Sequence, residues 1–352
     1  MPVVKAVTIS VDAMGGDHAP DIVLDGLAYF LKKEGHKHDL HVLLHGDEAV
    51  LSEKLEKISA VRDICEIRHT DTVISMDMKP SQAVRRGKGT SLWNTVDAVK
   101  SGEAALALSA GNTGALMAVS MLLLRRKQGV QRPALVAAWP TPEGQSVVLD
   151  VGANVESDAS QLTEFAVLGE AFYRAIYKKE SPSIGLLNVG TEDLKGNSVI
   201  KAAHERLNQS HLGLNYIGYV EGYDISMGGA DVIVTDGFTG NIALKTAEGT
   251  AKLIGTFFSQ ALQGNFWSKF TTLLNGMALR KLKKRIDPRR VNGAVFLGLN
   301  GLVVKSHGGT DGIGFANAVN VAVGLAESPF EKEIERKLAE LHTEDDNIGF
   351  IA

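Results

Sequence analysis

Short, nearly continuous runs of Val, Ile, Leu and Ala recur along the chain, and helical patterns lie between many of them. A strand of that composition has no polar side to turn to water. It must be covered on both faces, as in a parallel sheet sandwiched by helices. The strand candidates, several of them runs of this kind, are Val7–Asp12, Leu40–His45, Cys65–His69, Ala105–Ser109, Leu135–Trp139, Val147–Val151, Ile184–Val189, Tyr216–Val220 and Asp231–Thr235. Helical patterns span 20–34, 92–101, 114–127, 161–179 and 241–280. Their alternation predicts an α/β fold. No Pro/Ser-rich linker divides the 352 residues, so 1–352 reads as one α/β catalytic unit.

A formal net charge of −4 gives no global attraction for polyanions, so nucleic acid is not an expected partner. A single cysteine, Cys65, allows neither a disulfide within the chain nor a Cys-rich zinc site, and its apolar strand gives it a structural role. The first residues, MPVVKAVTISVDAMGGD, read as a strand rather than a secretion signal, and no apolar run reaches 18 residues. The expected setting is the cytoplasm.

Many of the apolar runs end in polar, glycine-rich turns: DAMGGD, SAGNTG, DVGAN, NVGTEDLKGN, TDGFTGN and KSHGGTDG. Ligands of open α/β sheets bind at the carboxyl ends of strands, so these loops are expected to share one cleft. Ser109-Ala110-Gly111-Asn112-Thr113-Gly114 runs into a helical pattern, whose first N–H groups and positive dipole end suit phosphate or carboxylate. The same residues also suit a tight turn capped by Asn or Thr. Asp236-Gly237-Phe238-Thr239-Gly240-Asn241 repeats this chemistry before another helix. Lys195, in the TEDLKGN loop, is a cation able to neutralise phosphate or a developing oxyanion, or simply a solvated lysine. Asp12 and Asp17 flank Gly15 and Gly16; they could organise a pocket or cap the helix that Pro20 opens. His307, between Lys305-Ser306 and Gly308-Gly309, completes the set.

Familiar signatures are missing. Gly87-Lys88-Gly89 is not a Walker loop, Gly312-Ile313-Gly314 lacks the third glycine of a dinucleotide fingerprint, and neither G-x-S-x-G nor H-E-x-x-H occurs.

Taken together, DAMGGDHAP, Arg86-Gly87-Lys88 with SLWNTVDAVKSG, SAGNTGALMA, RPA, LDVGANVES, GLLNVGTEDLKGN, VEGYDI, DVIVTDGFTGN, LKTAEG and LGLNGLVVKSHGGTD resemble the bacterial acyl-acyl carrier protein:phosphate acyltransferases, the PlsX family. The pieces stand in the family's order from residue 8 to about 325. One departure is GKGTSLW, where Thr90 replaces one of two serines. The resemblance implies a three-layer α/β/α fold with a largely parallel sheet, like isopropylmalate dehydrogenases and phosphate acetyltransferases, and a homodimer. It implies synthesis of long-chain acyl phosphate from acylated acyl carrier protein and inorganic phosphate, feeding a downstream glycerol-3-phosphate acyltransferase in phospholipid synthesis. It implies no metal and no nucleotide cofactor. Phosphate is itself the nucleophile, so the protein must align it with the thioester and stabilise the oxyanion. On this reading Lys195 and Asn241 act at the reacting centre. Asn112, Thr113 and His307 hold phosphate or thioester, Asp12 and Asp17 shape the pocket, and Gly15, Gly16, Lys88, Gly114, Asn154, Asn197, Asp236, Thr239 and Gly240 line it.

Segment 241–290 is expected to protrude as an amphipathic helical element. Phe266 and Trp267 sit among further apolar residues, and Arg280, Lys281, Lys283, Lys284 and Arg285 follow. Aromatics beside a basic cluster suit an anionic membrane surface, an acidic carrier protein or a dimer contact with a solvated basic end. The first places the enzyme peripherally on the inner face of the membrane. The rivals are a phosphate acetyltransferase-like enzyme using acyl-CoA, a metal-dependent decarboxylating dehydrogenase, and a non-catalytic membrane scaffold.

Overall fold

The computed structural model describes residues 6–263 and 287–349. Every strand candidate named above forms a strand: β1 (Val7–Asp12), β2 (Leu40–Gly46), β3 (Cys65–His69), β4 (Leu106–Ser109), β5 (Ala134–Pro140), β6 (Gln145–Leu149), β7 (Ser183–Leu187), β8 (Asn215–Val220) and β9 (Val232–Val234). Two more, β10 (Ala294–Leu297) and β11 (Leu302–Lys305), form an antiparallel hairpin that the sequence reading left out. Each has only four residues, and the Gly298-Leu299-Asn300-Gly301 turn between them breaks the apolar run. That turn uses positive φ at both glycines, +89° and +149°.

One 11-stranded sheet results, in the order β3-β2-β1-β4-β11-β10-β5-β6-β9-β7-β8. β3, β2, β1, β4 and β11 run parallel to one another. β10 and β5 are antiparallel to their neighbours, and β6, β9, β7 and β8 run parallel again in the opposite sense. The carboxyl ends of the two parallel blocks therefore lie at opposite edges, so the loops cannot all meet as neighbours.

Alternation along the strands assigns each residue to a face. Val7, Ile9 and Val11 of β1 pack with Phe30, Phe165, Phe315 and Phe330 under the helices Asp21–Lys33, Ala159–Tyr177, Gly312–Glu327 and Phe330–Gly349. On the opposite face Ala107, Val148, Ile233 and Val303 meet Leu92, Val96, Leu116 and Val119 of the helices Ser91–Lys100 and Thr113–Leu123. Ala243, Leu244 and Ala247 of the helix Gly237–Gln263 join this second layer. The arrangement is three-layered, α/β/α.

Asp12, Ser109 and Lys305 share the face of Ala107 and Val303, at the last position of their strands. The helix from Gly237 begins where β9 ends and crosses this same face. Its described part stops at Gln263, so Phe266, Trp267, Arg280, Lys281, Lys283, Lys284 and Arg285 lie outside the described residues.

The terminal helix Phe330–Gly349 is held by charge as well as by Phe330, Ile334 and Leu338. Lys337 Nζ lies 3.1 Å from Glu170, both side chains being buried, and donates to the Leu212 carbonyl at 3.3 Å. Removing one partner of a buried pair strands the other charge. Lys337→Ala is expected to cost about 3 kcal/mol of unfolding free energy in urea, with Arg174 only 3.5 Å from Glu170 limiting the loss. A joint Lys337→Met, Glu170→Leu replacement should recover most of it; a single variant as stable as the parent would show the pair to be neutral.

Candidate functional site

Register places four strand ends side by side: His45 pairs with Asp12, Asp12 with Ser109 and Ser109 with Lys305. Asp12 is buried, and its Oδ2 accepts the Ser109 hydroxyl at 2.7 Å while Oδ1 accepts the Met14 N–H at 3.3 Å. Burial pushes its carboxyl above the usual range; hydrogen bonds from Ser91 and Ser109 and the nearby Lys305 charge pull it back. Ser91 is delivered by the Thr90 cap, whose hydroxyl donates to the Gly87 carbonyl at 2.6 Å and accepts the Trp93 N–H. Lys88 lies exposed in that turn.

The loops after β1, β4 and β11 are laced together here. Asp17 N–H donates to the Gly308 carbonyl, Gly111 N–H to Ser109 Oγ and Ser306 N–H to the Ser109 carbonyl. Gly15 sits so close to Asp12 and Gly111 N that a side chain would collide, and Gly16, at φ +106°, fits between Ala110 and Gly308. Lys305 Nζ is buried and donates to the carbonyls of Ala110 and Ser306. Burial lowers its pKa to about 8, with the Lys245 charge acting in the same direction and Asp12 and Asp17 opposing.

Asn112 caps the helix Thr113–Leu123: Oδ1 accepts the Ala115 N–H, and Nδ2 donates to the carbonyls of Met76 and Met78 at 2.9 and 2.8 Å. Its side chain is thus committed to holding the loop, and the donors the helix start still offers are its first N–H groups, those of Thr113 and Gly114. His307 lies exposed at the rim. Its Nδ1 accepts the Gly309 N–H at 3.1 Å, which leaves the neutral ring with its proton on Nε2, available to a ligand. Partial desolvation and then the Lys245 charge lower the His307 pKa, favouring that neutral form.

A second cluster forms where β6 and β9 end. The Asp150 carboxylate accepts the N–H groups of Leu135, Gly152, Ala153 and Asn154 and the Asn154 side-chain amide. Asn154 also donates to the Pro133 carbonyl, so this buried residue is a brace. Gly237 and Gly240 press on Asn154 and the Asp150 carbonyl with no room for a side chain, and Asp236 accepts both the N–H and the hydroxyl of Thr239. The helix starting here carries exposed Asn241 over Gly152. Lys245 is one turn further, roughly 6 Å along the axis on the same face. It is ion-paired to Glu248 at 2.7 Å, and its charge reaches Lys305 and His307. This helix is the bridge between the two edges.

The six loops do not form one cluster, because the sheet reverses direction. The β7 loop closes on itself: Lys195 N–H donates to the Glu192 carbonyl, Gly196 at φ +89° lies against Asn188, and Asn197 caps the helix Ser198–Gln209. Lys195 is exposed there.

Comparison with known proteins places this geometry. Residues 7–333 match the sequence profile of the family described as fatty acid synthesis protein. The phosphate acyltransferase of Maricaulis maris is 53% identical over 332 residues, covering 94% of each chain. That of Caulobacter vibrioides is 52% identical over 337 residues, covering 96% of this chain and 93% of its own. The chain belongs to the phosphate acyltransferase family. Its fold is that of phosphotransacetylases: the enzyme from Streptococcus pyogenes superposes with a TM-score of 0.60 at 18% identity, over 91% of this chain and 94% of that one. A phosphotransacetylase from Staphylococcus aureus gives 0.58 at 16% identity, over 91% and 94%.

The sequence reading of this phosphate acyltransferase family member passed over Ser91, Ser109, Asp150, Lys245 and Lys305 as site residues. A legible signal existed for three: Ser109, Asp150 and Lys305 are the polar residues that end or directly follow apolar strands.

His45, beside Asp12 in the row, is buried, and neither ring nitrogen meets a hydrogen-bond partner among the described residues. Burial, then the Arg68 charge, lower its pKa from 6.5 to about 4. The unfolded chain therefore binds the proton first, so the neutral ring contributes stability that is full above pH 6.5 and lost as pH falls toward 4. The stability difference between the parent and His45→Leu should shift by about 3 kcal/mol between pH 7.5 and pH 4. A difference that stays constant across that range would mean an ordinary, hydrated histidine.

Proposed function

We propose that the chain transfers a long-chain acyl group from acyl carrier protein to inorganic phosphate, forming acyl phosphate for phospholipid synthesis. Identity of 53% to a phosphate acyltransferase over nearly the full length carries this reading. The site chemistry fits it. The Lys245 charge acts on His307, whose Nε2–H, with the first N–H groups of the helix Thr113–Leu123, offers donors suited to a phosphate dianion. Phosphate oxygen attacks the thioester carbonyl carbon, the C–S bond breaks, and the carrier thiol leaves as thiolate. Asn241, one turn from Lys245, is suited to the carbonyl oxygen as charge grows on it. Lys195, exposed in the β7 loop, is assigned as the second cation.

Further parts of the reading are a homodimer, a peripheral position on the inner face of an anionic membrane, and delivery of the product to a glycerol-3-phosphate acyltransferase. Among the described residues no helix is long and apolar enough to cross a membrane. Exposed Phe257 and Phe258 near the end of the described helix support a surface contact, and the sequence adds Phe266 and Trp267, which lie outside the described residues.

The enzyme incubated with palmitoyl-carrier protein and labelled phosphate should yield acyl phosphate, and exhaustive EDTA treatment should not slow it. Product from palmitoyl-CoA but not from the carrier thioester would instead favour the acetyltransferase-like rival. Lys195→Ala and Asn241→Ala should each lower turnover about 100-fold or more with unchanged thermal melts; near-parental turnover in a folded variant would remove that residue from the site. In flotation assays, Phe266→Ser with Trp267→Ser should release the enzyme from anionic vesicles at low salt. Equal flotation of parent and variant would place the lipid contact elsewhere.

A further inference from the structure

A lysine at the end of the strand Leu302–Lys305 is costly. Its side chain is 7% exposed and lies on the face covered by the helices Ser91–Lys100 and Thr113–Leu123. Removing an ammonium from water costs several kcal/mol unless strong partners replace the solvent. A residue needed only for packing would be Met or Leu. Neutralising Asp12 does not require Lys305 either, since Ser91, Ser109 and the Met14 N–H already serve that carboxyl.

The direct partners of Lys305 Nζ are two backbone carbonyls, and their positions are informative. Ala110 is the first residue after β4 and Ser306 the first after β11. In each case the N–H of the same peptide unit is also held: Gly111 N–H by Ser109 Oγ at 2.9 Å, His307 N–H by Asn292 Oδ1 at 2.9 Å. A peptide unit is planar, so binding both its C=O and its N–H fixes its orientation completely. One ammonium therefore sets two peptide planes, one leading into Gly111–Gly114 and one into His307–Gly308.

We propose that Lys305 is a positioning residue for the transfer reaction, clamping the Ala110–Gly111 and Ser306–His307 peptide units so that the Thr113–Gly114 amides and His307 face one phosphate. This rests on the acyl-to-phosphate reading above. The charged and titratable groups that face Lys305 are Asp12 from β1, Asp17 from the following loop and Lys245 from the bridging helix, with His307 next to it on its own loop. Lys305 itself does not contact the phosphate; it acts through the loops.

The test compares the parent with Lys305→Met, Asp12→Asn and the double variant, measuring KM for phosphate, KM for the acyl thioester, and kcat. Lys305→Met should raise the phosphate KM about tenfold or more, the scale of losing charge-assisted hydrogen bonds. The thioester KM should stay within about twofold, since uniform structural damage would move both. The double variant should lose less than the product of the single losses, because both residues sit in one knot. Lys305→Gln, which keeps donors for the two carbonyls, should recover part of the phosphate KM and serves if the Met variant does not fold. A folded Met variant with an unchanged phosphate KM, or one in which both KM values rise together, overturns the proposal. The rise in melting temperature with inorganic phosphate, measured on parent and variants, separates the two readings. A parent that is stabilised by phosphate but makes no acyl phosphate sinks the transfer reaction, while a smaller phosphate-induced shift in Lys305→Met still upholds the clamp.

Discussion

The burial of Asp12, Ser109 and Lys305 in one row of adjacent strands is the constraint on which the site depends. β4 and β11 are apolar up to their last residue, β1 carries only Thr8 and Ser10 before its own, and the polar end group of each is trapped beneath two helices. Trapped groups must find partners. They find them in the loop backbones that start at the next residue, so loops that would otherwise be free are tied into the core. Asp150 does the same work at the other edge with five donors. Rigid glycine-rich loops follow from charges paid for by burial, rather than from the glycines, whose part is to let the backbones approach.

Much of this architecture was legible in the chain. Nearly continuous apolar runs foretold the doubly covered strands, their alternation with helices foretold an α/β fold, and the family resemblance foretold its three layers. The hairpin Ala294–Lys305 was not legible, because two four-residue strands around a Gly-Leu-Asn-Gly turn carry too little periodicity to declare themselves. With it went the reversal of direction, and hence the expectation of one shared cleft. Among the site residues, Asn112 and Asn197 show the limit of reading loops by composition. The side chain that suits an anion also suits a helix cap, and in both positions the cap is what the fold uses.

The reversed sheet also explains why the helix Gly237–Gln263 matters. Two blocks of parallel strands that point opposite ways would give two unrelated sets of loops. By starting on the Asp150 cluster and crossing one face, this helix carries Asn241 and Lys245 from one edge toward the other. The phosphotransacetylase likeness reaches the fold alone; the bridging is a property of this chain's own residues.

The sheet's central strands come from near the end of the chain. β11 lies between β4, made long before it, and β10, so the first block has an open edge at β4 until residues 294–305 have been synthesised. On the ribosome, then, the amino-terminal block waits with its Ser109 row unfilled, and the last of the three buried polar groups to emerge is the lysine that locks the loops. The loops that Lys305 ties together cannot be locked in a nascent or carboxyl-truncated chain: a protein that stops short of β11 is left with an unpaired strand edge at β4, which is a surface for aggregation.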